Sequence, residues 1–134
     1  MADTKRTLSE VLALFPDNVT AQISAQDLRD FVVSVFFNSI DEVATSTFDI
    51  DSDDYNILHV TKTATGVVAI DIKSAQIVDG NIFHIKDAAG NCNAFNITIT
   101  TEGAETIDGA ASFVMNIDYM SISLYCKDGN LFAF

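Results

Sequence analysis

The sequence has no tryptophan and only two cysteines among its 134 residues. Two cysteines are too few for a disulfide framework or a zinc site, so we expect Cys92 and Cys126 to be free, partly buried thiols. A Cys92–Cys126 bridge is the alternative. Without tryptophan, and with three tyrosines, the chain offers little material for an aromatic platform that stacks on sugar rings. Among these tyrosines, Tyr125 falls opposite the apolar face of its strand, where it would be exposed.

Basic residues are scarce, with 7 lysines and arginines against 19 acids and a net charge of −12. Nucleic acid is therefore a poor partner, because binding it requires clustered cations that replace phosphate counterions. An anionic membrane is disfavoured for the same reason. The chain also lacks an apolar run long enough to span a bilayer. Residues 1–6 are polar and resemble no secretory leader, so we expect synthesis in a reducing cytoplasm.

Apolar residues, by contrast, are plentiful. They make up 49% of the chain, and ten of them are phenylalanine. This is enough for a real core and argues against intrinsic disorder. The fraction is high for a small soluble monomer, so we expect some apolar surface to be buried between subunits.

The N-terminal part of the chain has helical signals. Residues 7–10 have the form of a capping box, and the first helix should end before Pro16. A second helix, capped by Ser24, carries an apolar stripe at helical spacing. This stripe packs either on the chain's own sheet or on the same stripe of two other subunits. It consists of Leu28, Phe31, Val32, Val35 and Phe36.

Residues 41–54 are rich in acids, and we interpret them as a connector that acts as a hinge. The stretch from Asp49 to Asp54 begins like a calcium loop, with acids at alternate positions. The pattern then fails, because Asp54 stands where an EF-hand needs glycine and Val60 stands where it needs glutamate. A solvated acidic turn is the simpler interpretation. A cation site of another kind, for example at a subunit junction, is the alternative.

Alternating apolar and polar residues dominate from Tyr55 onward and predict short strands. Gly-containing turn signals such as Asp108-Gly109 and Asp128-Gly129 separate these strands. We therefore predict a mainly β fold: an antiparallel, jelly-roll-like β-sandwich over residues 43–134, preceded by a two-helix arm over residues 1–42. The apolar positions that we assign to strands are Leu58, Val60, Val68, Ile70, Ile72, Phe83, Ile85, Phe95, Ile97, Ile99, Phe113, Met115, Ile117, Met120, Ile122, Leu124 and Cys126.

No pattern of catalytic residues accompanies this fold. His59 and His84 lie on the less apolar face of predicted strands, without a Cys, Asp or Glu at ligand spacing. We interpret them as surface histidines. Nucleophile-elbow, zinc-protease and phosphate-loop motifs are absent from the sequence. We therefore predict a protein that is not an enzyme, with no catalytic, cofactor or metal site.

The C-terminal half resembles a β-rich module of bacteriophage tail-fibre, head-fibre and capsid-decoration proteins. The resemblance begins with the hairpin pattern F-x-I-K-D-x-x-G at residues 83–90 and the strand Asn96-Ile-Thr-Ile-Thr100, which is similar to an N-x-I-T-I strand of the module. It continues with the G-x-x-T-I-D-G turn at residues 103–109 and a closing hairpin around Asp128-Gly129. Residues 23–35 also resemble a segment near the N-termini of such proteins. Members of this group usually carry tryptophan in the last hairpin, where Leu131 or Phe132 stands here.

The resemblance implies a homotrimeric virion protein, made in the host cytoplasm, whose partners are capsid or tail proteins. From its small size we expect a head decoration or short head-fibre subunit that the helical arm attaches to the capsid. The alternative is a tail-fibre or adaptor module whose β-domain contacts a host surface glycan or protein.

Overall fold

The structure, a computed structural model, describes residues 40–51, 57–63 and 66–134. Both predicted helices, and the stripe from Leu28 to Phe36, lie outside these residues. Residues 40–134 form one compact unit. The described residues contain nine strands: β1 Ile40–Val43, β2 Thr47–Ile50, β3 Ile57–Val60, β4 Val68–Ile72, β5 Ile82–Asp87, β6 Ile97–Thr101, β7 Ser112–Met115, β8 Ser121–Lys127 and β9 Asn130–Ala133.

These strands form two sheets between which the chain alternates. The first sheet has the order β1-β3-β5-β8-β9, and the second has the order β2-β4-β6-β7. Successive odd-numbered strands from β1 to β5 are parallel, as are successive even-numbered strands from β2 to β6. The first six strands therefore wind as in a short β-solenoid, in which each turn adds one strand to each sheet.

The last three strands form antiparallel pairs instead. Strand β7 runs antiparallel to β6, β8 runs antiparallel to β5, and β9 runs antiparallel to β8. Asp128 and Gly129 form the turn between β8 and β9, with φ angles of 50° and 70°. Positive φ at both central positions suits the right-handed twist of a two-residue hairpin, so this predicted hairpin is confirmed.

One apolar cluster joins the inward faces of both sheets. In β4 the inward residues Val68, Ile70 and Ile72 are buried and Ala69 is exposed, as their alternation predicts. Most of the other predicted apolar positions are also buried. Ile117 is an exception, because β7 ends at Met115 and the Ile117 side chain is 64% exposed. Phe95 and Met120 are half-buried and precede β6 and β8.

The predicted acidic connector is wrong for residues 41–50, which lie in β1, β2 and the turn between them. Val43 and Ile50 are fully buried, whereas Glu42 and Asp49 are exposed. Each strand is only four residues long. It therefore presents few apolar residues to the core, and the neighbouring acids obscure the alternation in the sequence.

The mainly β fold is confirmed for the described residues, but the antiparallel jelly-roll sandwich is not, because both sheets are mixed. Side-chain alternation is the same in parallel and antiparallel strands, so the pattern does not reveal strand direction. A parallel neighbour needs a crossover connection. In this fold the intervening strand of the opposite sheet provides that connection.

Candidate functional site

A buried carboxylate organises the corner where β5 ends. Asp87 is the last residue of β5 and is fully buried. Its Oδ1 accepts the Gly90 N–H at 2.9 Å. Its Oδ2 accepts N–H groups from Asn91 at 3.1 Å, Cys92 at 3.2 Å and Tyr119 at 3.0 Å. One side chain thus binds the loop after β5 to the turn before β8, and we call this arrangement the Asp87 corner.

Lys86 and Gly90, which belong with Asp87 to the pattern F-x-I-K-D-x-x-G, also contact Tyr119. The Lys86 ammonium donates to the Tyr119 carbonyl oxygen and lies 5.8 Å from the centre of its ring. Gly90 lies against that ring, and a Cβ built on Gly90 would overlap it. Tyr119 itself has a φ of 61°. The lysine, aspartate and glycine of F-x-I-K-D-x-x-G therefore share one structural task, which is to hold the turn at Tyr119.

Burial and hydrogen bonding act in opposite directions on this carboxylate. Burial raises the pKa of Asp87, but the N–H groups of Tyr119, Cys92 and Gly90 together outweigh it and hold the pKa below its ordinary value. The thiol of Cys92 experiences the opposite effect, since burial and the nearby Asp87 carboxylate raise its pKa to about 11. Asp87 is therefore a charged structural anchor, and the Cys92 thiol beside it stays protonated at neutral pH.

A second corner contains the G-x-x-T-I-D-G residues. Asp108 and Gly109 form a tight turn with φ angles of 50° and 80°, closed by hydrogen bonds between Ile107 and Ala110. The Asn130 Oδ1 accepts the Thr106 N–H at 2.9 Å and the Thr106 hydroxyl at 2.8 Å. This amide fixes the turn to the start of β9, and the buried Ile107 side chain joins the core.

Acids on the outer face of the second sheet surround a single lysine. Asp49 and Asp71 are directly opposite each other on β2 and β4. The Lys73 ammonium lies 2.7 Å from an Asp71 oxygen, 3.4 Å from an Asp49 oxygen and 4.0 Å from a Glu102 oxygen. Asp49, the first acid of the calcium-like stretch, is thus paired with an ammonium group. Asp53 and Asp54 lie outside the described residues.

The histidines and cysteines lie where the sequence places them. His59 and His84 point outward from β3 and β5, and His84 Nδ1 is 2.8 Å from the Ser123 hydroxyl. Cys92 and Cys126 are free and buried, and burial raises the pKa of Cys126 to about 11. Within the part of the chain that the structure describes, no three His, Cys, Asp or Glu side chains are arranged to hold a metal ion.

Sequence reasoning missed an aromatic group on the outer face of the first sheet. Tyr125 on β8 is directly opposite Phe132 on β9. Their rings stack with centroids 5.4 Å apart, and the Phe134 ring meets Tyr125 edge-on at 5.8 Å. Tyr125 is exposed, as predicted. The sequence does contain a signal for this group. Phe132 and Phe134 alternate after the Asp128-Gly129 turn, which places both rings on the same face as Tyr125 of the paired strand.

In comparisons with known proteins, no protein-family model matches the chain and no curated protein matches it. Among the described residues, no helix has the length and apolar character needed to cross a membrane.

Proposed function

We propose that this chain is a non-enzymatic structural protein of a bacteriophage virion. In this proposal it is a trimeric head decoration or short head-fibre subunit attached to the capsid. The proposal depends on one observation: the residues that resemble the phage module have structural roles in this fold. Asp87 and Gly90 build one corner of the β-domain, Asp108 and Gly109 build a second, and Asp128-Gly129 forms the last hairpin. These motif residues hold loops and turns in place, as a structural module requires.

The chemistry of the cysteines and of Asp87 is consistent with a structural role. The two cysteines are buried with raised pKa values, so neither is poised as a nucleophile at neutral pH. The buried carboxylate of Asp87 accepts four backbone N–H groups, which fits a structural role. An acidic protein that coats a particle gains solubility through self-repulsion while its apolar surfaces contact other subunits.

The N-terminal stripe provides the proposed attachment arm. We propose that Leu28, Phe31 and Val35 line a helix that packs on the same helix of two other subunits or on the capsid. Its period of three and four residues gives one apolar side, which is stable in water only when covered. Packing of the stripe on the chain's own sheet is the competing arrangement.

Mass spectrometry of gradient-purified particles from the phage that encodes the chain tests the proposal directly. We expect the protein in intact virions, enriched in separated heads over separated tails, with a copy number divisible by three. Its absence from washed particles would overturn the virion role. Enrichment in tails would instead support the alternative described next.

The second candidate is a tail-fibre or adaptor module that contacts a host glycan or surface protein. The aromatic group of Tyr125, Phe132 and Phe134 favours it, because aromatic faces stack on sugar rings and occupy hot spots at protein interfaces. A glycan array probed with the full-length wild-type chain distinguishes the two candidates. Reproducible binding that is lost in Tyr125→Ala would favour the adaptor.

A further inference from the structure

Four apolar side chains form a continuous group on the outer face of the first sheet. Ile82 on β5 is opposite Tyr125, which is opposite Phe132, and the Phe134 backbone N–H binds the carbonyl oxygen of Ser123. Ile82 is 40% exposed, Tyr125 39% and Phe134 71%. We call Ile82, Tyr125, Phe132 and Phe134 the aromatic face. Exposed groups of this kind on a folded protein mark sites of association.

The charge around the aromatic face differs from that of the chain as a whole. The chain carries a net charge of −12. Yet no Asp or Glu occupies an outward position of β3, β5, β8 or β9, where His59, His84, Lys86 and Lys127 stand. The outer face of the second sheet has outward carboxylates from Asp49 and Asp71. The outer face formed by β3, β5, β8 and β9 therefore has no carboxylate at an outward strand position, whereas the neighbouring edge strand β1 carries Glu42 there.

The polar groups beside the aromatic face are already engaged. His84 is paired with the Ser123 hydroxyl, and Lys127 binds Asp79 and Asp128. The Asn130 amide accepts from Thr106 and donates to the Asp128 carbonyl oxygen. A sugar site needs polar groups that are free to bind hydroxyls beside its aromatic rings. This arrangement favours an apolar protein surface over a glycan.

We propose that the aromatic face is the contact through which copies of this chain associate, an inference that rests on the trimer of the proposed function. Two copies with a net charge of −12 each repel wherever their acids meet. The outward positions of β5, β8 and β9 carry no carboxylates, so two copies can approach there, and burial of Ile82 and three aromatic rings supplies the driving force. Three copies with their aromatic faces turned toward one axis form a closed assembly with its acidic surfaces outside.

Light scattering and sedimentation equilibrium of the full chain test this contact with a matched pair of variants. Ile82→Asp and Val114→Asp each place one new carboxylate at an outward strand position, on the first and second sheets respectively. The two wild-type side chains are 40% and 41% exposed. We expect Ile82→Asp to raise the dissociation constant of the oligomer at least about tenfold, because a charge within an apolar contact removes hot-spot binding energy. Val114→Asp should change it less than about threefold.

A third variant, Phe134→Ser, removes an exposed ring beyond the end of β9 and should weaken the oligomer without unfolding the chain. Circular dichroism confirms that each variant is folded. A wild-type oligomer that neither Ile82→Asp nor Phe134→Ser weakens would overturn this inference and leave the virion role intact. Equal weakening by Val114→Asp would also overturn it, because the added negative charge would then weaken the oligomer wherever it is placed. A monomeric wild-type chain would overturn both this contact and the trimer, whereas particle mass spectrometry decides the virion role separately.

Discussion

Asp87 and Tyr119 are 32 positions apart in the chain and are joined by a 3.0 Å hydrogen bond from the Tyr119 backbone N–H to the buried Asp87 carboxylate. The bond connects the end of β5 to the turn that leads into β8, its neighbour in the first sheet. The same carboxylate holds three N–H groups of its own loop. A single charged side chain therefore fixes two loops that the strand pairing alone would leave free.

Replacing the Asp87 carboxylate should destabilise the domain strongly. Asp87→Asn turns one acceptor oxygen into a donor that faces backbone N–H groups. We expect the free energy of unfolding to fall by about 3 kcal/mol, because hydrogen bonds to buried charged groups are the most costly to lose. Urea denaturation measures this change. The exposed Asp51 provides a control, and Asp51→Asn should have little effect; equal effects from the two variants would contradict the anchor role.

The same carboxylate makes stability depend on pH in acid. The pKa of Asp87 is lower in the folded protein than in the unfolded chain. Its contribution is therefore fully present above the unfolded value of about 3.9 and is lost as the pH falls through the lower folded value. We expect the stability difference between wild type and Asp87→Asn to be constant near neutrality and to shrink below about pH 4. Urea midpoints measured across pH 2–7 check this, and a gap that widens in acid would contradict it.

Gly90 and Tyr119 should be energetically coupled. Gly90→Ala places a methyl group into the Tyr119 ring and forces alanine to a φ of 68°. We expect it to cost about 3 kcal/mol in the wild type, the sum of overlap and backbone strain. In a Tyr119→Ala background only the strain remains, about 1 kcal/mol. A double-mutant cycle by chemical denaturation measures this coupling, and additive effects would show that the ring is free to move aside.

Both cysteines should resist thiol reagents in the folded protein. Burial raises the pKa of Cys92 and of Cys126 to about 11, so the reactive thiolate is scarce at pH 8. We expect Ellman's reagent to modify neither residue in native protein and both in urea. If one cysteine reacts rapidly in the folded protein, its thiol is accessible at the surface and the prediction is contradicted. Equal thiol counts before and after reduction would confirm that the two are not bridged.

Ile50 should be essential to the fold although it lies in an acid-rich stretch. Ile50→Ala removes a fully buried side chain from β2, and we expect a loss of about 3 kcal/mol. Thr47→Ala changes an outward residue of the same strand and should alter stability by less than about 0.5 kcal/mol. Thermal unfolding followed by circular dichroism compares the two. Similar midpoints for the two variants would return this stretch to the role of a connector.

Several features of the candidate corners could be predicted from the sequence. The turns at Asp108-Gly109 and Asp128-Gly129 follow from a local need for positive φ, which aspartate and glycine tolerate. The Asp87 corner could not be predicted in this way. Its hydrogen bond to Tyr119 depends on two strands becoming neighbours in the sheet, and no local pattern encodes that pairing.

The sequence by itself determined which residues face the core, because alternation along a strand reflects local backbone geometry. It therefore identified Ile70, Ile85 and Leu124 as buried residues, and it identified Tyr125 as exposed. Only the tertiary structure decided strand direction, the inclusion of β1 and β2, and the assembly of Tyr125, Phe132 and Phe134 on one face. These features depend on which strands become neighbours. Non-local burial decides that pairing, because short strands alone carry too few apolar residues to specify their partners.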